Sequence, residues 1–453
     1  MATDGPPRIE PQSHGTAPAG GGTGGSRSFL ALYLNRPMAV LLALGFAGGL
    51  PFVMITDIAT AWATSDGWDL QAIGVLGFWT IPYALKFLWA PMVDALPVPG
   101  LGRLGLRRGW LLLTQCGALA GLLLLCLVGP DDRGAFIALV AAVAFLSATQ
   151  DAVADAFRAE SLRPEEMGAG ASTFVTGYRI AFVALGAGIL MSAETAGWRN
   201  AALAGAAAMA IGIAATLLAR EPDIARPRPG VREAVVAPIA AFWEGWGARF
   251  WALVLFVLLF KLPDQLANAI TTPLLMKGLG YSVESIGWVR QAFGIGMTIV
   301  GALAGGWMVA RLGLVRCLWI FGIAHCVSIG GFLALALSCG ATVAATPAVP
   351  PSVWALIPAI GIENFVIGLV TSGFVAFLMG VCDRRFTATQ YALLTALMAA
   401  GNSFAKWGGG VLAAELDYPL FLVAAMLAGI PGVLLIPWVT GGQVRSPVPW
   451  QTR

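Results

Sequence analysis

Charge is what this chain has least of. Asp, Glu, Lys and Arg make up 11% of its 453 residues, where an ordinary globular domain carries about 25%. So few charges cannot cover a water-facing surface, and a soluble fold is excluded. Histidine is scarcer still, with His14 near the N-terminus and His325 inside an apolar run, which rules out a His-rich metal centre. Cys116, Cys126, Cys317, Cys326, Cys339 and Cys382 form no C-x-x-C pair. Most sit in apolar runs, where a thiol behaves as a small hydrophobe. HExxH, GxSxG with a matching His and the ATP-binding P-loop are all missing, so neither hydrolase chemistry nor ATP-driven transport is expected. Repeated filter-like rings, the mark of a channel, do not occur either. A net charge of +3 gives no reason to expect nucleic acid as a partner.

What remains is apolar and rich in glycine: 58% hydrophobic residues and 57 Gly. Residues 1–28 are mostly Gly, Pro, Ser and Thr, a disordered tail without the apolar core of a signal peptide. Spanning a bilayer takes about 20 apolar residues in a helix. Twelve such runs follow, at 37–62, 71–94, 109–129, 135–158, 168–192, 199–219, 250–276, 283–310, 314–339, 352–381, 385–411 and 417–440; they are called spans 1 to 12 below. The longest interruption lies between spans 6 and 7 and offers a short amphipathic stretch suited to the membrane surface. The expected architecture is therefore an all-α polytopic membrane protein of twelve transmembrane helices. It divides into a six-helix half (29–220), a linker with an amphipathic helix (221–249), a second six-helix half (250–440) and a tail (441–453).

Basic residues orient it. With both termini cytoplasmic, nineteen of the 27 Lys and Arg fall on the cytoplasmic side and only Arg133, Arg199 and Lys277 on the far side. That bias is the positive-inside pattern. In a bacterial cell it places the chain in the inner membrane, in contact with lipid.

Buried charges are the candidate site. Lys86, Arg179, Lys261, Arg290 and Lys406 lie within spans, as do Asp151, Asp155, Asp264 and Glu363. A charge at the bilayer centre costs at least about 2.5 to 3.5 kcal/mol, so each needs a partner or a wet cavity. Asp151 and Asp155 are four apart on one helical face, with Gln150 beside the first. Asp151 and Gln150 are expected to face the central cavity, and Gln150 to suit a sugar hydroxyl or acetamido group. Asp155, nearer the cytoplasm with Arg158, is expected to pair with basic loop residues. Arg290 and Lys406, near the outer face, are expected to snorkel. Lys261 and Asp264 in "FKLPDQLA" are three apart and positioned to pair. Pro263 between them, Pro82 in span 2 and Pro358 in span 10 are expected to interrupt their helices. Tyr83, Trp89, Tyr178 and Trp407 are candidates to stack on sugar rings.

The two halves also echo each other. "APMVDALPVPGLGRLGLRRG" joins spans 2 and 3, and "AGGWMVARLGLVR" joins spans 8 and 9. Both resemble the loop signature of the major facilitator superfamily, although Ala310 stands where the second copy usually has an acid. Repeated halves around a midplane site are a transporter architecture. More specifically, "LGFAGGLPF", "IPYALKFLWAPMVD", "FLSATQDAVADAFRAE", "GAGASTFVTGYRI", "FKLPDQLA" and "TSGFVAFLMGVCDRRFTATQYALLTAL" resemble the AmpG muropeptide permeases. They occur in the same order from about residue 30 to 440.

The resemblance implies a monomeric secondary transporter without cofactor. It would import anhydro-muropeptides, N-acetylglucosaminyl-1,6-anhydro-N-acetylmuramic acid with or without stem peptide, by proton symport. That import would serve peptidoglycan recycling and β-lactamase induction. It assigns substrate binding or proton coupling to Lys86, Gln150, Asp151, Arg179, Lys261, Asp264, Glu363, Asn364 and Asn402. Gating or structural charges are Asp94, Asp155, Arg158 and Lys406. Asn402 stands where the family pattern has an Arg, with Lys406 one turn later. The competing reading within transport is a carrier of another anion such as acetyl-coenzyme A.

Overall fold

The computed structural model of the chain describes residues 29–76, 80–224, 231–342 and 351–441, and every regular element among them is helical. The tails at 1–28 and beyond 441 lie outside the described residues. Among the described residues, ten helical stretches are long and apolar enough to cross a membrane unaided. Spans 2 and 11 complete the twelve. Span 2 is broken into Leu70–Leu76, Thr80–Leu85, a 3₁₀ turn at Lys86–Leu88 and Ala90–Ala95. Span 11 opens the helix Thr387–Ala428, which turns into span 12 at Asp417, whose φ is 61°.

Proline acts unevenly on these helices. Span 7 divides into Phe250–Leu259 and Leu262–Pro273, with Lys261 out of helical geometry and Pro263 in the first turn, where a missing N–H costs nothing. Span 2 gives way at Lys86, a few residues beyond Pro82. Span 10, in contrast, runs unbroken as Val353–Val381 with Pro358 inside it. The expected interruption there does not occur: Pro358 lies near the helix N-terminus, and a spanning helix tolerates proline where packing re-satisfies the freed carbonyl.

Both halves begin and end at one end of the bundle. Arg36, opening span 1, donates to the Leu218 carbonyl closing span 6, at 2.7 Å. At that end the repeated Leu-Gly-Leu turns start spans 3 and 9 with Gly105 and Gly313 at φ 104° and 82°, a left-handed backbone that favours glycine. Glu221 caps span 3, accepting the amides of Arg107 and Arg108 at 2.8 and 3.0 Å, as a carboxylate at a helix N-terminus should.

One hydrophobic core joins the halves at this linker-bearing end, running from Leu41, Phe157 and Phe174 to Phe256, Phe377 and Tyr391. At the opposite end each half keeps its own core: Leu50 to Met209 in the first, Leu266 to Ala425 in the second. The linker helix Val231–Trp246 does not simply lie on the membrane surface. Phe242 and Trp246 enter the shared core, and the Pro238 carbonyl accepts the Gln390 amide of span 11 at 3.0 Å. A cavity of about 830 Å³ beneath it is lined by Met167, Phe242, Trp246, Met379, Asp383 and Gln390.

Candidate functional site

Polar residues on the apposed faces of the halves form two clusters and a lock. In the first half, span 4 turns Ser147, Asp151, Asp155 and Arg158 along one stripe, their spacing of three and four being helical. Ser147 Oγ accepts the Tyr83 hydroxyl at 2.7 Å. Oδ1 of Asp151 is buried without a hydrogen-bond partner and lies under Gly48 of span 1, where a Cβ would stand 3.3 Å from it. Phe52, Tyr83, Tyr178 and Phe182 gather beside it, with centroids 5.3 Å apart for both Phe52–Tyr83 and Tyr178–Phe182. Trp89 is committed to Thr149, donating at 3.0 Å. Arg179, partly buried next to Tyr178, has no ion pair or hydrogen bond among the described residues.

Three expectations about this half are corrected. Asp155 does not pair with loop residues: it lies 3.8 Å from Lys86 Nζ and 2.8 Å from Arg158 Nη2. Both partners lie inside spans, because the break in span 2 swings Lys86 over span 4. Gln150 is not a free donor. It is 1% exposed and its Nε2 donates to the Ala47 carbonyl at 2.9 Å, tying span 4 to span 1, while its Oε1 is buried without a hydrogen-bond partner. Arg158 reaches across to the other half, donating to Tyr391 Oη at 3.0 Å and Met379 Sδ at 3.2 Å, with its guanidinium 4.6 Å from the Phe174 ring centroid.

The second half centres on span 7. Lys261, Asp264, Asn268 and Thr272 share one face of the segment that follows the break. Lys261 Nζ is 3.6 Å from Asp264 Oδ2 and 3.3 Å from Thr371 Oγ1 of span 10. His325 of span 9 stands behind Asp264, Nε2 to Oδ1 3.8 Å. Arg290 does not snorkel; it turns inward and donates to Thr272 at 2.7 Å and Asn268 at 3.2 Å. Glu363 is 6% exposed. Asn364 next to it accepts from Thr298 and donates to the Ile360 carbonyl, both at 3.0 Å. Asn402 is half-buried with no hydrogen bond among the described residues. The side chains of Lys406 and Trp407 lie outside those described.

The lock lies at the linker-bearing end. Arg107, wholly buried, bridges Asp94 at 2.6 Å and Glu160 at 2.5 Å. Asp94 in turn accepts the first turn of span 11: Ala388 N at 3.1 Å, Thr389 N at 2.8 Å and Thr389 Oγ1 at 2.6 Å. The second copy of the turn has Val315 where the first has Arg107, so the Arg107 bridge is not repeated at that position. Backbone contact replaces it. Gly168 of span 5 and Gly306 of span 8 are so close that a Cβ on Gly306 would stand 2.6 Å from the Gly168 carbonyl oxygen. Tyr33 stitches the same place, donating to the Leu303 carbonyl at 2.6 Å.

Sequence reading missed His325, Thr371, Tyr391 and the Arg107–Glu160 bridge. His325 carried a signal, being a titratable side chain in an apolar span. Nothing in one dimension pointed to Tyr391 or Thr371.

Comparison with known proteins places these features. Over 414 residues the chain is 36% identical to the anhydromuropeptide permease of Escherichia coli (strain K12), covering 91% of this chain and 81% of the relative. A putative transporter AmpG 4 of Rickettsia felis is 28% identical, covering 88% and 95%. A family model described as Acetyl-coenzyme A transporter 1 matches residues 29–135. Among solved structures, the human organic anion transporter MFSD10 (TETRAN) superposes with a TM-score of 0.61 at 16% identity, covering 88% of this chain and 99% of that one. The major facilitator superfamily proton:xylose symporter XylE, bound to 6-bromo-6-deoxy-D-glucose, gives 0.59 at 14%, covering 90% and 95%. Identities this low speak for fold alone, and that fold is the major facilitator one.

Proposed function

The chain belongs to the anhydromuropeptide permease (AmpG) family of the major facilitator fold, and from that premise we propose that it imports anhydro-muropeptides across the bacterial inner membrane by proton symport. It is a transporter, not an enzyme. The observation that carries the substrate class is the set of unsatisfied or exchangeable charges at mid-depth in both halves. Arg179 and Lys261 suit the carboxylates of a stem peptide, and Asp151 and Asp264 suit its amine or a proton. The rings of Tyr83 and Tyr178 offer faces to the two sugars. A buried carboxylate whose oxygen has no partner is a natural proton acceptor.

The position of the shared core supports the inward direction. With both termini and the linker cytoplasmic, as the basic residues favour, the cytoplasmic end is closed by the shared core and by the bonds from Ala388 and Thr389 of span 11 to Asp94, which Arg107 holds in place. Separate cores leave the halves free to part on the periplasmic side, the arrangement that receives substrate. Protonation and loading then favour rocking about the midplane, which must break the Asp94 bonds to span 11, the Gly168–Gly306 contact and the Arg158–Tyr391 bond together. One copy of the chain carries both halves, so a monomer suffices.

Right-side-out vesicles carrying the protein test this. Labelled N-acetylglucosaminyl-1,6-anhydro-N-acetylmuramic acid, with and without its peptide, should accumulate when a proton gradient is imposed and fail to accumulate with an uncoupler. Accumulation indifferent to the uncoupler removes the symport. Uptake of acetyl-coenzyme A in place of the muropeptide removes the substrate.

A further inference from the structure

Span 1 re-aims its side chains in the half farther from the linker. Phe52 packs its ring on Tyr83 of span 2, centroids 5.3 Å apart, and on Tyr178 and Phe182 of span 5, at 6.2 and 5.6 Å. Spans 2 and 5 are the ones that meet the second half, through Asp94 and Gly168, so the Phe52 face of span 1 is the one turned toward the cleft. Beyond it comes a π turn at Met54–Ile58, in which the Ala59 amide donates to the Met54 carbonyl five residues back. An unbroken α-helix, at about 100° per residue, would set Asp57 about 140° away from Phe52. The extra residue of the π turn brings Asp57 back beneath Phe52. Asp57 is exposed, with no ion pair or hydrogen bond among the described residues. Thr56, Thr60 and Thr64 continue the stripe, none of them buried.

This polar stripe does not face lipid. Gly129, closing span 3, lies against the Trp62 ring, where a Cβ would stand 3.5 Å from Cζ2. Counting five residues back from that contact puts Asp57 and Leu124 at one depth. There span 3 exposes Leu123, Leu124 and Leu127, the side chains that hydrocarbon requires. A carboxylate and three hydroxyls turned to lipid at the same level would carry the cost of an unpaired charge in the bilayer. They line instead the wet cleft on the side where each half keeps its own core.

We propose that Asp57 is a specificity-determining residue at the outer mouth of the cleft, where its carboxylate binds a protonated primary amine on the peptide part of the substrate. The sugar end lies deeper, on the rings gathered around Phe52. From Gly49, whose backbone touches Tyr178, or from Phe52 to Asp57 is a rise of about 7 to 12 Å along span 1. An extended peptide covers that in about two to three residues. An amine at that distance from the sugars meets a carboxylate without a competing cation, and the threonine hydroxyls beside it are acceptors of the same kind. A peptide-free disaccharide does not reach so far. The identity of the solute rests on the transport reading above; the polar stripe and its unpaired acid belong to the chain itself.

Three solutes test this in right-side-out vesicles: a muropeptide whose peptide carries a free side-chain amine, the same compound with that amine acetylated, and the peptide-free disaccharide. Asp57→Asn should raise KM for the first about fivefold, the upper end for an ion pair open to solvent. KM for the other two, and the maximal rate for all three, should stay within twofold of wild type. Asp57→Glu should recover most of the loss. Equal changes for the three solutes, or none for the amine-bearing one, overturn the proposal. A second arm does not depend on muropeptide transport. In a protein whose native cysteines are replaced, Thr60→Cys should react with an impermeant maleimide from the side opposite the linker. A tripeptide ending in lysine should slow that reaction, and its acetylated form should not; adding Asp57→Asn should abolish the protection. No labelling, or protection indifferent to the amine, overturns the proposal. Wild-type vesicles that take up none of the three solutes count against the transport reading instead, and the labelling arm then decides.

Discussion

Arg158 of span 4 donates from Nη2 to the hydroxyl of Tyr391 on span 11, 3.0 Å away, so a charge of the first half is anchored in the second. The same guanidinium holds Asp155 at 2.8 Å. Removing only the cross-half bond leaves the ion pair intact. Tyr391→Phe should therefore cost about 1 kcal/mol of the closed arrangement and little of the fold. Cys382, buried at the same end, reports it. In a protein whose other cysteines are replaced, an impermeant maleimide applied from the linker side should react about fivefold faster with the Tyr391→Phe variant. An unchanged labelling rate would show that this bond does not hold the end closed.

Asp151 and Asp155, one turn apart, should fail differently. Asp155 neutralises both Lys86 and Arg158, and breaking a buried pair from one side costs about 3–5 kcal/mol. Asp155→Asn should thus reduce the amount of folded protein and lower its melting temperature. Asp151 has no ion pair among the described residues, and its Oδ1 has no hydrogen bond. Asp151→Asn should leave the melting temperature within a few degrees of wild type yet abolish gradient-driven accumulation. The melting curves and the uptake of the two variants must dissociate; equal losses in both assays would refute the division of roles.

The contrast also shows what one dimension can carry. The helical spans, and Lys86, Asp151, Lys261 and Glu363 as charges set within them, were legible because bilayer thickness and the cost of a buried charge act residue by residue. Lys261 with Asp264 was legible because helical periodicity makes residues three apart neighbours. Partners from distant spans were not. Asp155 was expected to look toward the loops, and the 3₁₀ turn at Lys86–Leu88 instead delivered Lys86 to it. Gln150 looked free, yet its Nε2 is held by a carbonyl of span 1. Arg290 looked like an interfacial anchor, but Thr272 and Asn268, one turn apart on span 7, supply it with acceptors. Each of these depends on which helix packs where, and hydropathy does not encode that.

Close packing, not charge, closes the second half of the linker-bearing end. Gly306 has no room for a methyl group: a Cβ would stand 2.6 Å from the Gly168 carbonyl oxygen and 2.6 Å from Tyr33 Oη. Gly306→Val should cost this arrangement about 1–3 kcal/mol by overpacking while leaving the opposite arrangement, where spans 5 and 8 part, unaffected. Spin-label distances between the linker-side ends of spans 5 and 8 should lengthen, and uptake should fall several-fold. Distances that stay put alongside normal uptake would mean that the contact yields without consequence.

Lys261 and Asp264 supply the sharpest separation of structure from transport. With the site empty, Asp264 neutralises an ammonium that would otherwise be costly at this depth. Lys261→Ala strands the carboxylate beside His325, and Asp264→Ala strands the ammonium beside Thr371. Each single variant should lose about 3–5 kcal/mol of stability, the range in which one-sided removal of a buried partner falls. The double variant removes both charges at once, so its melting temperature should return most of the way to that of wild type. Uptake should not return with it, because the cation for the substrate carboxylate and its exchange partner are both gone. The two readouts together form a double-mutant cycle: coupling in stability with no recovery of flux places the pair in the transport path. Normal uptake by the double variant would reduce the pair to a structural clasp and move the site to Lys86, Arg179 and Glu363.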